Sequence, residues 1–151
     1  MAYKYPYNND EEEVKDYKPA RLNDKRSFIL FYVLTFLTCG IYELFFFTPF
    51  SFDLDKVAPK RDGTKTINFL FVFILSYITC SIALMVWIYH ISSRVEEALI
   101  QRGINYKFGT NDFWTFYILG AFIGIGPFVF IYKLIRAMNL LCADYNKEHG
   151  I

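Results

Sequence analysis

Charge is what this sequence lacks over most of its length. Between Arg26 and Asp53 the one Asp, Glu, Lys or Arg is Glu43, and residues 66–93 and 113–132 contain none. A soluble helix shows a polar face every turn, so runs of this kind exclude an ordinary soluble domain, although the length would allow one. Cysteine is scarce too: Cys39, Cys80 and Cys142 form no CxxC pair and no Cys/His cluster with metal-ligand spacing, which leaves no metal or redox centre and makes all three packing residues. The net charge of +1, with no basic stripe interleaved with aromatics, excludes a nucleic-acid partner. No nucleophile stands beside a base, no catalytic carboxylates pair, and Gly124-x-Gly126-Pro127 lacks the strand that a dinucleotide site needs. The chain is expected not to be an enzyme and to carry no cofactor. No small-residue cleavage site closes a short apolar core near the start, so the first apolar stretch is expected to be an uncleaved anchor.

Apolar residues, 54% of the whole, are abundant and gathered. They predict an all-α integral membrane protein with three apolar helical segments, about 27–52, 66–93 and 112–135, inside a membrane domain over 27–148. Residues 1–26 read as a disordered polar tail: few aliphatic side chains offset the entropy of ordering the acidic run Asp10–Glu13 and its Tyr and Asn neighbours. Lys15, Lys18, Arg21, Lys25 and Arg26 end that tail at the membrane, as a cytoplasmic flank would.

The segments resemble one another. A shift of about 41 residues lays Leu37-Thr38-Cys39-Gly40-Ile41 on Ile78-Thr79-Cys80-Ser81-Ile82, and a further shift of about 44 lays Phe69, Ile74 and Leu75 on Phe113, Ile118 and Leu119. A threefold internal repeat follows, each copy with one plan. A polar cap (Asn23 or Asp24; Thr64 or Thr66; Thr110, Asn111 or Asp112) opens an apolar helix, which meets a small-residue break at Cys39-Gly40, Cys80-Ser81 or Gly124-Ile125-Gly126-Pro127. Beyond the break the last two copies extend into amphipathic helices, Leu84, Ile88, Ile91, Val95 and Leu99 on one face of the second and Ile131, Leu134, Met138 and Leu141 on one face of the third. In the first copy Pro49 is expected to interrupt the helix and Asp53-Leu54-Asp55-Lys56 to end it early.

Glu43 is the sharpest candidate, because an intramembrane carboxylate binds a cation, carries a proton or pairs with a base unless the Gly40 bend lifts it to an interface. Candidate packing or break positions are Cys39, Gly40, Cys80, Ser81, Gly120, Gly124, Gly126 and Pro127, where small residues let helices approach. His90 and Lys133 are expected to anchor at the interface by snorkelling, and Tyr42, Trp87, Tyr89, Trp114, Tyr117 and Tyr132 to form an aromatic belt. Two topologies are open. Three crossings fit the segment lengths, but then basic residues divide evenly between the two sides; three helix-break-helix hairpins would put every polar segment on one side, with short helices and turns that must satisfy their own backbone. The lengths favour crossings.

Thr38-Cys39-Gly40-Ile41-Tyr42, and Lys133 followed by Arg136-Ala137-Met138-Asn139-Leu140-Leu141-Cys142-Ala143-Asp144-Tyr145-Asn146, resemble signatures of a family of small bacterial integral membrane proteins catalogued only as a domain of unknown function. The resemblance covers residues 26 to about 148, with Glu43 where a second glycine is common. It implies a bacterial cytoplasmic membrane location and brings no activity. The expected role is structural: a scaffold or accessory subunit that packs against the bilayer, a second copy or another membrane protein, with an oligomeric channel or carrier using Glu43 as the alternative.

Overall fold

The computed structural model describes residues 20–58, 66–79 and 82–151, so Cys80, Ser81, Thr64 and the tail through residue 19 lie outside the described residues. The described residues are helical, with no strand among them. α1 (Phe28–Leu37), α2 (Ile41–Val57), α3 (Phe69–Ile78), α4 (Ile82–Gln101), α5 (Thr110–Asp112) and α6 (Gly126–Glu148) follow in order, and α5 runs on through a π turn, Phe113–Ile118, and a 3-10 turn, Leu119–Phe122.

Each apolar segment is folded back on itself. In a straight helix Phe31 and Phe46 would stand about 22 Å apart at 1.5 Å per residue; their rings are 4.6 Å apart between centroids. Cys39 (φ 51°) and Gly40 (φ 92°) make the reversal, both in the left-handed region that glycine tolerates. Farther down the same pair, Arg26 ahead of α1 reaches Asp53 near the end of α2. α3 and α4 form the second hairpin: Phe69 meets Trp87 at 4.8 Å, and the Trp87 indole donates to the Ile67 carbonyl at 2.9 Å. In the third, Tyr117 meets Phe130 at 5.4 Å, and Lys133 pairs with Asp112. The apolar segments are therefore not single straight crossing helices. Hydropathy favours a crossing because two short apolar limbs in series sum to the same length as one long one. α6 alone among the described helices is long and apolar enough to cross a membrane.

The starts of these helices follow from local hydrogen bonding, though not at the expected residues. Ser27, rather than Asn23 or Asp24, caps α1 through Leu30 N–H, and Asn68, rather than Thr66, caps α3 through Leu70 N–H. Asp112 accepts the Gly109 N–H at the third start. Pro49 sits inside α2, which continues unbroken to Val57 with the proline ring on its exposed side. The expected interruption is absent: a proline removes one N–H, and the surrounding turns of α2 are held by packing of Phe46, Phe47 and Phe50.

Packing divides the molecule into two ends. The C-terminal halves of α2, α4 and α6 form a three-helix bundle whose centre is Phe50 and Leu54, Ile91, Val95 and Ala98, and Leu134, Met138 and Leu141, all essentially buried. Ser51 and Ser92 are buried there too, and each hydroxyl donates to the carbonyl four residues earlier at 2.8 Å, so neither hydroxyl is stranded. At the opposite end the hairpin tips are turned inside out: Phe36 and Phe122 are each 89% exposed, and Ile78 is 76% exposed. Three hairpins share one bundle, with charge at one end and bare hydrocarbon at the other.

Candidate functional site

The polar end is built from ties across the open ends of the hairpins. Arg26, with its side chain only 4% exposed, pairs with Asp53, donates to the Asn23 carbonyl, and lies over the Phe50 ring. Asp55, two residues along α2, accepts from the Thr66 N–H at 2.8 Å and from Arg94 at 2.6 Å, which joins the first hairpin to both limbs of the second. Glu96 of α4 accepts from the Thr110 N–H at 3.0 Å and thereby caps the third hairpin from its neighbour. A Cβ on Gly109 would stand 2.5 Å from the Glu96 carboxylate oxygens, so a side chain there would require the Glu96 tip to shift. Arg102 closes the far end with Asp144 at 2.9 Å and Glu148 at 3.1 Å.

An extended strap, Leu22–Arg26, is bound along α6 by two asparagines seven residues apart. That spacing places Asn139 and Asn146 on one helical face. Asn146 accepts the Leu22 N–H at 2.8 Å and donates to the Leu22 carbonyl at 2.9 Å; Asn139 does the same to Arg26 at 3.1 and 2.9 Å. Leu22, Asn146 and Cys142 are buried beneath the strap, and the Arg26 guanidinium approaches Cys142 Sγ at 3.6 Å. Burial pushes the Cys142 thiol up from its ordinary range, with Arg26 drawing it partly back. The signal that could have found the strap is the repeat of Asn at a seven-residue interval on an otherwise apolar stripe.

At the apolar end, the sequence-predicted residues occupy the turns. Thr38 and Thr79 act alike: each hydroxyl donates to the carbonyl four residues back, at 2.7 and 2.9 Å, and accepts the N–H four residues on, Tyr42 at 2.9 Å and Ala83 at 3.2 Å. One side chain thus ends the first limb and begins the second. Cys39 is exposed at its tip. Gly120 and Gly126 face each other inside the third hairpin, where a Cβ on Gly120 would lie 2.5 Å from the Gly126 Cα, while Gly124 (φ +82°) turns the chain with open space around it. Pro127 stands in the first turn of α6, where a missing N–H costs nothing.

Glu43 lies in the first turn of α2, half-buried, with Tyr32 and Tyr117 within electrostatic reach. The amide end of a helix favours a carboxylate there. Lys133 pairs with Asp112 and sits 5.2 Å above the Phe116 ring, and His90 is exposed. Of the expected aromatic belt, Tyr89, Trp114 and Tyr132 are exposed, Tyr42 and Tyr117 are half-buried, and Trp87 is a core residue, drawn inward by its bond to Ile67. Among the described residues no three His, Cys, Asp or Glu side chains gather as a metal site would require.

Residues 26–97, a little under half of the chain, match a family described as "Domain of unknown function (DUF4234)". The matched residues contain Thr38–Tyr42, the first hairpin and the second as far as Glu97 of α4, and stop short of the asparagines that hold the strap. No curated protein and no solved structure matches the chain.

Proposed function

We propose that the chain is a membrane-embedded protein that acts by packing, as a structural, scaffold or accessory subunit, and that the three hairpins are copies of one internal repeat. The observation that carries the reading is the separation of its surface: the exposed large apolar side chains concentrate on the hairpin tips, while the ion pairs close the other end. Contiguous exposed hydrocarbon on this scale marks a membrane or protein contact. The common use of Thr38 and Thr79 supports the repeat. Membranes carrying the full chain, washed at alkaline pH in carbonate, test the reading: retention in the pellet is expected, and release into the supernatant overturns it.

Glu43 favours a second reading, an oligomeric channel or carrier. It is a half-buried carboxylate at the apolar end with no hydrogen-bond or ion-pair partner among the described residues, beside two phenols, and three hairpins of one chain enclose too little space for a path without further copies. Proton and cation flux into liposomes distinguishes the two. A drop on Glu43→Gln supports transport; equal flux in both proteins leaves packing.

A further inference from the structure

We infer that the three hairpins enter the bilayer from one side, stop near its midplane and seat in a single leaflet, so that acyl chains of that leaflet are what cover the exposed tips. This rests on the membrane reading above and adds a depth and a sidedness to it. Three observations carry it.

The first is length. α1 and α3 have 10 residues each and rise about 15 Å, half of a hydrocarbon core roughly 30 Å thick. From Ile41 along α2 the first ionic tie, Asp53, comes after about 18 Å, and from Gly126 along α6 Lys133 comes after about 10 Å. Each hairpin reaches its polar end at the depth of one leaflet. A crossing would drag these pairs through the hydrocarbon.

The second is the turns. Irregular backbone at membrane depth needs internal partners. Thr38 N–H donates to the Leu34 carbonyl at 2.9 Å, Gly40 N–H to Thr35 at 2.8 Å and Ile41 N–H to Thr38 at 3.2 Å; in the third hairpin Ile123 and Gly124 N–H both donate to Gly120 at 3.1 Å. These amides find their partners inside the reversals, as backbone at membrane depth requires.

The third is the distribution of exposure around each prong. Ile29, Leu30, Val33, Phe36 and Leu37 form one exposed stripe along α1, on the side away from the buried Phe31. Exposed apolar residues stand on the other two hairpins as well, Ile74 and Ile78 on the second and Phe122 and Ile123 on the third, and a fluid of acyl chains covers all three prongs at once. Glu43 is the one charged residue on these tips, at the amide end of α2, where the helix itself favours it.

The test combines sidedness with depth. Lys56→Cys, Asn105→Cys and His149→Cys, all exposed at the polar end, are made singly in a chain lacking Cys39, Cys80 and Cys142, and labelled with a membrane-impermeant maleimide on intact cells and again after lysis. All three sites should label together on one side. Spin labels at Phe36→Cys and Phe122→Cys, reconstituted in phosphatidylcholine–phosphatidylglycerol vesicles, should show high oxygen and low nickel-chelate accessibility, the signature of the bilayer centre. Both are nearly fully exposed, so their replacement leaves the core intact, and circular dichroism checks that the helices persist. Labelling of position 105 on the side opposite to 56 and 149 overturns the single-leaflet inference and leaves the membrane reading standing. Tip labels fully accessible to the nickel chelate, in a protein that carbonate releases, overturn both and assign the tips to a protein partner.

Discussion

Replacing Asn146 with alanine tests the strap. Asn146 is 3% exposed and makes two hydrogen bonds to one backbone residue, Leu22, itself 2% exposed. Truncation leaves the Leu22 N–H and carbonyl both buried and unpaired, at about 1–3 kcal/mol each. The strap recovers part of that by lifting into water, so its opening becomes easier by about 2–4 kcal/mol. At 1.4 kcal/mol per decade this is about 30- to 1000-fold in the opening constant. Cys142 reports it, because the thiol is fully covered and Arg26 of the strap lies over it. Maleimide labelling of Cys142, followed by mass spectrometry of its peptide, should accelerate by that factor in Asn146→Ala. Asn146→Asp keeps the acceptor for Leu22 N–H and loses the donor, so it should fall between. His149→Ala, on an exposed position beyond the clamp, should change nothing. An Asn146→Ala protein whose Cys142 labels within about threefold of the parent, about 0.7 kcal/mol on the same scale, would refute the clamp.

Other perturbations separate the remaining ties. Arg26→Ala leaves Asp53 buried without its partner and should destabilise by about 3–5 kcal/mol, whereas Arg26→Met with Asp53→Leu removes both charges and should come back close to the parent in denaturant melts. In the third hairpin Gly126→Ala should cost about 1–3 kcal/mol, because the new Cβ meets backbone of Phe116 and Gly120 that cannot swing aside. Gly124→Ala, in open space, should cost about 1–2 kcal/mol from its positive φ alone; thermal melts of both in one detergent compare them, and a null result for Gly126→Ala would count against the close approach. Trp87→Phe takes the only donor among the described residues from the Ile67 carbonyl and should cost about 1 kcal/mol, read as faster hydrogen exchange along α3.

The sequence is most legible at its breaks. Thr38-Cys39-Gly40 announces a weak point because glycine weakens a helix and accepts the left-handed backbone that ends one, and the chain reverses there. What hydropathy cannot convey is direction: a helix that bends and a helix that returns have the same composition. The positive-inside tally held the missing information, since an even division of basic residues between two sides is what a chain with all its charges on one side produces when crossings are assumed. Asp53-Leu54-Asp55-Lys56 does stand at the end of α2, which stops at Val57, and Asp53 and Asp55 also anchor two hairpins, a role hidden in the sequence because their partners Arg26 and Arg94 lie 27 and 39 residues away. Trp87 reads as a belt residue from its place near a segment end, and only tertiary contact with Ile67 reveals it as core. Glu43 remains where the sequence singled it out, at the apolar end, and the structure adds its two phenolic neighbours.

The strap gives synthesis of this chain an order of events. Leu22 is bound by a residue 124 positions later, and Arg26 by one 113 positions later. At roughly 5–20 residues per second, about 6 to 25 s pass between the appearance of the strap and that of its clamp. During that interval α1, α2, α3 and α4 can reverse and pair by local contacts alone, while the segment ahead of the first hairpin is held by Arg26 on Asp53 but not yet by either asparagine. Only when the last two turns of α6 leave the ribosome does the beginning of the bundle acquire its fastening, so a chain truncated before Asn139 should keep its hairpins and lose its lock.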